Sequence, residues 1–328
     1  MEILDCTLRD GGYANNWHFS IEFARECCKA VSLAGSDYVE IGLVGTEEEF
    51  PPSEYGLFRR ITPSIAKTLR DITGNRLSVL VDYGKTNIQL VDDLSGIVSL
   101  IRVATHKKDV YKAAEWCNYF EDMGFKTALQ MMNFPSYTRE EIESFVRFAL
   151  HLKNLSANYI YVADSYGSMY PRDVALAMEY LSFLQLRFKI GFHPHNNLQL
   201  AFANTIEAIN CGYDIIDGTV MGLGRGSGNL PLELLLLYLE KHGNTVVTPE
   251  HVMMFAENHV RPLMHSLDFG YNVRHAAAGH YGCHPDYVKV LIYKDLPSIC
   301  AFFEKLSKSG ITNYNEEHIR SWFEKDKL

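Results

Sequence analysis

Residues 1–243 are expected to close into a (β/α)8 barrel, the TIM-barrel fold, with residues 244–328 forming a helical C-terminal extension. Two observations lead there. Short β-branched or apolar runs alternate with longer helical stretches eight times, within the roughly 250 residues typical of such a barrel. Unusual polar residues also stand at the ends of many of these runs: Arg9-Asp10, Glu40, Asp82, Arg102, Asn133, Asp164-Ser165, His193-x-His195 and Asp217. A barrel gathers all its strand ends at one mouth, whereas an open doubly wound sheet gathers residues only at a switch point.

The strands are expected at Ile3 to Leu8, Tyr38 to Val44, Leu77 to Tyr83, Val98 to Ala104, Thr127 to Met132, Tyr159 to Ala163, Lys189 to His195 and Asp214 to Val220. Helical patterns fill the gaps, among them Phe19 to Leu33, Val110 to Met123, Arg139 to Lys153, Pro171 to Leu184 and Leu198 to Cys211. Thr138 before Arg139-Glu140-Glu141 reads as a capping box, and Pro171 suits a first helical turn, where its missing N–H costs nothing. Gly35, Gly124 and Gly212 follow helical runs, where a C-terminal glycine belongs. Beyond Gly243 only helices are expected: Glu250 to Leu267, Asp286 to Leu291, Leu296 to Ser309 and Asn315 to Phe323, closing part of the mouth. The polar stretches Lys305 to Ser309 and Glu324 to Leu328 are read as facing solvent.

Composition narrows the function. The formal net charge is −9 with no long basic run, so nucleic acid is not an expected partner. Seven cysteines without zinc-ribbon spacing read as reduced thiols of a cytoplasmic protein. The first residues show no signal-peptide pattern, and the apolar stretch Leu230 to Leu239 is too short and interrupted to span a bilayer, so no membrane partner is expected.

His193-Pro194-His195 carries the sharpest chemistry. Side chains alternate along a strand, so both imidazoles point the same way, and Asp10 at the end of the first run is the natural oxygen donor. Two nitrogens plus oxygens suit divalent Mn, Mg, Co, Fe or Zn. Arg9 beside Asp10 can also enter the mouth if a turn beginning after Arg9, eased by Gly11-Gly12, redirects the chain. The loop Gly222-Leu223-Gly224-Arg225-Gly226-Ser227-Gly228-Asn229 implies close backbone approach to something; it lacks the Gly-Lys-Ser/Thr ending of a P-loop, and Asn229 is either a helix cap or a fourth, neutral oxygen ligand.

Together, Asp5-x-Thr7-Leu8-Arg9-Asp10-Gly11, Glu40-x-Gly42, Arg102, His193-x-His195-Asn196, Asp217 and the glycine loop resemble, in order over residues 1 to about 240, the HMG-CoA lyase-like metallolyases, the DRE-TIM superfamily. The resemblance implies the barrel, a divalent metal (Mn or Mg first) on Asp10, His193, His195 and Asn229, and an enolate stabilised by Arg9. Within that superfamily the glycine loop lacks the cysteine of the CoA-thioester lyases, while Asp164-Ser165 and Ala278-Gly279-His280-Tyr281 are similar to the pyruvate aldolases acting on 4-hydroxy-2-oxovalerate. The implied reaction is aldol cleavage or formation of a 4-hydroxy-2-oxo acid with pyruvate as enolate partner; the resemblance does not name the acceptor aldehyde, and the altered residue at Tyr13 with the polar residues near the mouth points to one larger and more polar than acetaldehyde, such as a sugar.

One departure matters. Those aldolases read Arg-Asp-Gly-Ser-His, the histidine serving as acid–base catalyst, and this chain reads Arg9-Asp10-Gly11-Gly12-Tyr13. The base is therefore sought among Tyr13, His18, His280, Tyr281, His284 or water, with Ser165, Arg102 and Glu40 binding substrate. The remaining histidines, His106, His151, His242, His251, His259, His265 and His318, are read as surface or structural, and Trp17, Trp116 and Trp322 as packing residues. A Schiff-base lysine is not expected, since the fourth run ends in Ala104-Thr105. Rival functions are a Claisen-type acyltransferase, a CoA-thioester lyase, and a non-catalytic scaffold barrel. The resemblance also implies a homo-oligomer; a dehydrogenase partner is not assumed.

Overall fold

The computed structural model describes residues 1–323 apart from 75, 152, 153, 265 and 268. The expected helix end at Lys153, the reading of His265 and the solvent-facing stretch 324–328 lie outside the described residues. Eight parallel strands close in chain order, β1 (Glu2–Asp5), β2 (Tyr38–Leu43), β3 (Leu77–Asp82), β4 (Leu100–Thr105), β5 (Lys126–Met131), β6 (Tyr159–Asp164), β7 (Lys189–Pro194) and β8 (Ile215–Gly218), with β8 pairing back to β1. The expected (β/α)8 barrel is the observed fold, with additional helices after it.

Local signals explain the helices. Ser20 caps Ile21–Leu33 by accepting the Phe23 N–H, and this helix buries Ala24, Cys27, Cys28 and Val31, a spacing of three and four residues that makes one face. Burying a side chain such as Val31 stabilises the packed state by about 1.5–3 kcal/mol relative to leaving it in water. Thr138 and Glu141 form the expected capping box of Arg139–Leu150, and Gly35, Gly124 and Gly212 take the positive φ that ends a helix.

Two boundaries moved in ways that bear on function. The first strand stops at Asp5, and Thr7–Asp10 is a helical turn followed by a 3-10 turn over Gly11–Ala14, so the redirection expected after Arg9 begins four residues earlier. The expected C-terminal helix from 250 to 267 is continuous helical backbone from Pro249 to Met264, widened to a π-helical turn at Ala256–Val260, and Val273–His280 is a further helix that the pattern did not suggest.

Inside the barrel the layers change character along the strands. Leu4, Cys6, Leu100, Ala128, Tyr159 and Ile215 belong to an apolar inner cluster. Glu40, Arg102, Gln130 and Asp217 form a buried ionic layer joined by direct hydrogen bonds. Outside the strands, the main core also takes in Val247, Val252, Phe255 and Val260, whereas Cys283, Tyr287, Phe302 and Phe303 make a separate cluster with the last helices. That second cluster is tied to the mouth by the Tyr166 hydroxyl, which donates to the Thr312 carbonyl.

Candidate metal centre and active-site cavity

The ionic layer is the platform on which the site stands. Arg102 is fully buried and donates to Glu40 (3.1 Å), Gln130 and Asp217; Glu40 also accepts from Arg9 Nε at 2.6 Å. Glu40 and Arg102, expected to contact substrate, instead lie beneath the cavity and do not line it. Each is only the third residue of a six-residue strand, too deep to reach the mouth, and their charges are spent on each other and on Arg9 and Asp217.

Above this layer the helical turn Thr7–Asp10 turns both Arg9 and Asp10 inward. Arg9 Nη1 donates to Asp10 Oδ2 at 2.6 Å, and its Nη2 is buried with no partner among the described residues. The Trp17 indole N–H donates to the Arg9 carbonyl at 2.8 Å, so this tryptophan positions backbone as well as packing. A Cβ on Gly12 would stand 2.1 Å from the Trp17 ring. Gly12→Ala is therefore expected to cost about 1–3 kcal/mol of stability by overpacking, read as a lower urea midpoint. An unchanged midpoint would show that the ring moves aside freely.

His193 and His195 stand on β7 and the bridge that follows it, their ring centroids 5.1 Å apart. His193 Nδ1 lies 2.8 Å from Asp217 Oδ2, and its Nε2 is 3.2 Å from Asp10 Oδ2; His195 Nε2 is 3.8 Å from the same oxygen. With the Nδ1 proton given to Asp217, the Nε2 lone pair of neutral His193 faces a carboxylate oxygen, an arrangement that calls for a proton or a cation between them. Burial pulls the His193 pKa down, but Asp10 and Asp217 outweigh it and hold it raised; burial lowers that of His195 to about 3. Burial likewise opposes ionisation of Asp10, yet Arg9, His195 and His193 keep its carboxyl well below the usual range.

Asn229 completes the set. Its bridge to His195 brings it to the site, and its Nδ2 donates to the Leu223 carbonyl at 3.2 Å, leaving Oδ1 buried and without a partner among the described residues. It does not cap the next helix, which starts at Leu232 after Pro231. Gly224 must be glycine because a Cβ there would meet Asn229 Nδ2 at 2.1 Å and Asp10 Oδ1 at 3.3 Å, so the glycine loop's close approach is to this asparagine. Asp10 Oδ1 is also buried without a partner among the described residues. Two imidazoles and two oxygens with unused lone pairs fit a divalent ion.

Two groups of side chains among the described residues are close enough to hold an ion: Asp10 with His193 and His195, and Cys6 with His193 and Asp217. The second fits poorly. Asp217 is engaged by Arg102 and His193, and burial raises the Cys6 thiol well above its ordinary value while it donates to the Gly218 carbonyl at 3.4 Å.

A cavity of about 740 Å³, its open mouth included, lies over Arg9, Asp10, His193 and His195. Tyr13, Ser165 and His284 line it, as expected, whereas His280 is exposed and Tyr281 packs with the last helices, both outside the lining; His18 is exposed and bonded to the Glu54 carbonyl. Burial raises the Tyr13 pKa, so its hydroxyl is protonated at neutral pH; burial lowers that of His284 to about 3, so its ring is neutral. Ser165 Oγ accepts the N–H of Asn133, whose left-handed backbone (φ 49°) turns the chain there. His106, read as structural, also lines the cavity, as do Asp82, Lys85 and Arg225.

Buried donors with unused lone pairs, beside a guanidinium with a free N–H, are equipment for accumulating negative charge on a small substrate, and they place the chain in the class of metal-dependent barrel lyases. Comparison with known proteins narrows the class. The HMGL-like family profile matches residues 1–260, and the chain belongs to that family. The chain is 32% identical over 272 residues to a 4-hydroxy-2-oxovalerate aldolase of Roseiflexus castenholzii (80% of this chain, 77% of that protein). It is 28% identical over 274 residues to one of Thermus thermophilus (80% and 76%). Among solved structures, the N-terminal domain of a proposed aldolase from Bacteroides vulgatus superposes with a TM-score of 0.80 at 30% identity, covering 92% of this chain and 99% of that one. Among the described residues no helix is long and apolar enough to cross a membrane, and none of the seven cysteines is in a disulfide.

Proposed function

We propose that the chain is a divalent-metal-dependent aldolase that makes or breaks a 4-hydroxy-2-oxo acid through a pyruvate enolate. The observation that carries the reading is the convergence, at the cavity floor, of Asp10 Oδ1 and Arg9 Nη2, unpartnered among the described residues, with His193 and His195, and behind them Asn229 bridged to His195 with its Oδ1 unused. Asp10, His193, His195 and Asn229 would hold the ion, manganese or magnesium, which supplies Lewis-acid stabilisation of developing oxyanion charge. Arg9 Nη2 donates to the 2-oxo oxygen as it becomes an enolate, and Ser165 orients the carboxylate. Removal of the C4 hydroxyl proton sends that oxygen's electrons into a new C4 carbonyl. The C3–C4 pair then passes into the enolate, the aldehyde leaves, and C3 takes a proton to give pyruvate. Of the residues considered for proton transfer, Tyr13 and His284 line the cavity, and the reading assigns the proton movements to them and to water: protonated Tyr13 as donor, neutral His284 as acceptor. A cytoplasmic homo-oligomer belongs to the same reading.

Exchange of pyruvate methyl protons in deuterium oxide tests it without needing the aldehyde. Metal-dependent exchange is the expected result; exchange of acetyl-CoA and not of pyruvate would move the enzyme to the Claisen-type acyltransferases.

A further inference from the structure

Resting on the pyruvate-enolate reading, we infer that the acceptor aldehyde carries an anionic group, a phosphate ester or a carboxylate, and that Arg225 binds it. The cations lining the cavity are not equivalent. Arg9 is held by Asp10 and Glu40 at 2.6 Å each, and Lys85 lies 3.7 Å from Asp82. Arg225 is the cavity-lining arginine that no described carboxylate approaches within ion-pair distance. Its Nη2 donates to the Ser165 carbonyl (3.2 Å), its Nε is buried without a partner, and its guanidinium stands 5.3 Å from the Tyr13 ring centroid. Asp286, which does not line the cavity, attracts it from beyond ion-pair distance and has Lys289 nearer, at 3.4 Å.

A guanidinium held in a cavity with a free N–H and no carboxylate within ion-pair distance has lost part of its hydration for only a longer-range attraction to Asp286, and a carboxylate or phosphate oxygen in the cavity would match its planar fork. The loop is shaped to present it. Gly224 and Gly226 flank it, and a Cβ at either would meet Asn229 (2.1 Å) or Asn197 (2.8 Å), so the backbone lies flat on the site while Arg225 alone extends over the cavity. The guanidinium's hydrogen bond to the Ser165 carbonyl and its approach to the Tyr13 ring put it on the cavity wall that His284 also lines. The lining runs from Arg9, Asp10, His193 and His195 to Arg225 and His284, so the enolate end and the guanidinium share one cavity. Asp82 is the one opposing carboxylate on the outer lining, and Lys85 offsets it.

The test compares acceptors at saturating pyruvate and metal: glycolaldehyde with its phosphate ester, and butanal with succinic semialdehyde. The wild type is expected to use one charged acceptor at least about ten-fold better in kcat/KM than its neutral partner. Whichever pair shows the preference separates phosphate from carboxylate. Arg225→Gln is expected to collapse the ratio to within about three-fold, chiefly through a higher KM for the charged acceptor. Arg225→Lys, which keeps the charge and loses the fork, should retain part of it and serves if the glutamine variant misfolds. Equal use of charged and neutral acceptors by the wild type, or a preference that survives in Arg225→Gln, overturns the inference. Pyruvate methyl exchange in the wild type is read separately: its absence defeats the enolate reading, whereas exchange without charge preference defeats the anion site alone.

Discussion

Replacing His193 and His195 together by alanine is expected to abolish metal retention. Wild-type protein dialysed against a dilute chelator should keep about one divalent ion per chain, and the double variant essentially none. Two of four proposed donors vanish, and Asp10 and Asn229 alone offer only oxygens to the ion. The affinity loss should exceed the roughly 10–100-fold typical of removing a mere outer-shell partner. Asp217→Asn supplies that milder case: it removes no proposed donor but weakens the hydrogen bond orienting the His193 ring at 2.8 Å, and it takes one charged partner from Arg102, which keeps Glu40. Cys6→Ser separates the two possible donor groups: metal retained in this variant places the ion on Asp10, and metal lost places it on Cys6. Undiminished metal in the double histidine variant would remove the proposed centre altogether.

The strands were legible because those of a closed parallel barrel are covered on both faces and read as nearly unbroken apolar runs such as Leu77 to Val81. Periodicity also placed His193 and His195 on one side, since they are two residues apart on one run. It could not give depth. Glu40 and Arg102 point inward as the pattern says, yet they sit one layer below the mouth and bond each other, and height along a barrel axis depends on stagger between strands that one run does not encode. The first run read too long for a related reason: Thr7-Leu8-Arg9 has strand-like residues, but the Thr7 hydroxyl donates to Asp5 and its N–H to the same carboxylate, which winds the chain into a turn. Asn133 and Asp82, expected at the mouth, do line the cavity, whereas Arg225 and His106 were given no place there because they lie on loops, where no period marks direction. His280 and Tyr281 were overvalued because the placement of helices outside the barrel is a matter of tertiary packing: Tyr281 faces the cluster around Phe302, while His284, only three residues on, reaches the cavity beside Tyr166.

Arg9→Ala is expected to slow metal-dependent exchange of pyruvate methyl protons by about 10²–10³-fold while leaving metal content near that of the wild type. The reason is a difference between ground and transition states. Arg9 Nη2 has no protein partner to lose, so its hydrogen bond to the substrate oxygen strengthens as that oxygen gains charge, and the geometry is held in advance by Glu40 at 2.6 Å, Asp10 at 2.6 Å and the Trp17 indole on its carbonyl. The loss should therefore fall on kcat more than on KM. The barrel itself should survive, because Glu40 keeps Arg102 at 3.1 Å and Asp10 keeps His193 at 3.2 Å; urea denaturation checks this directly. Arg9→Lys is expected to recover less than about ten-fold, since an ammonium is a single point of charge and cannot serve Glu40, Asp10 and the substrate oxygen together as the planar guanidinium does. A folded, metal-loaded Arg9→Ala protein that exchanges within about two-fold of the wild type would show that the enolate oxygen is stabilised without this arginine, and its position beside Asp10 would then be structural.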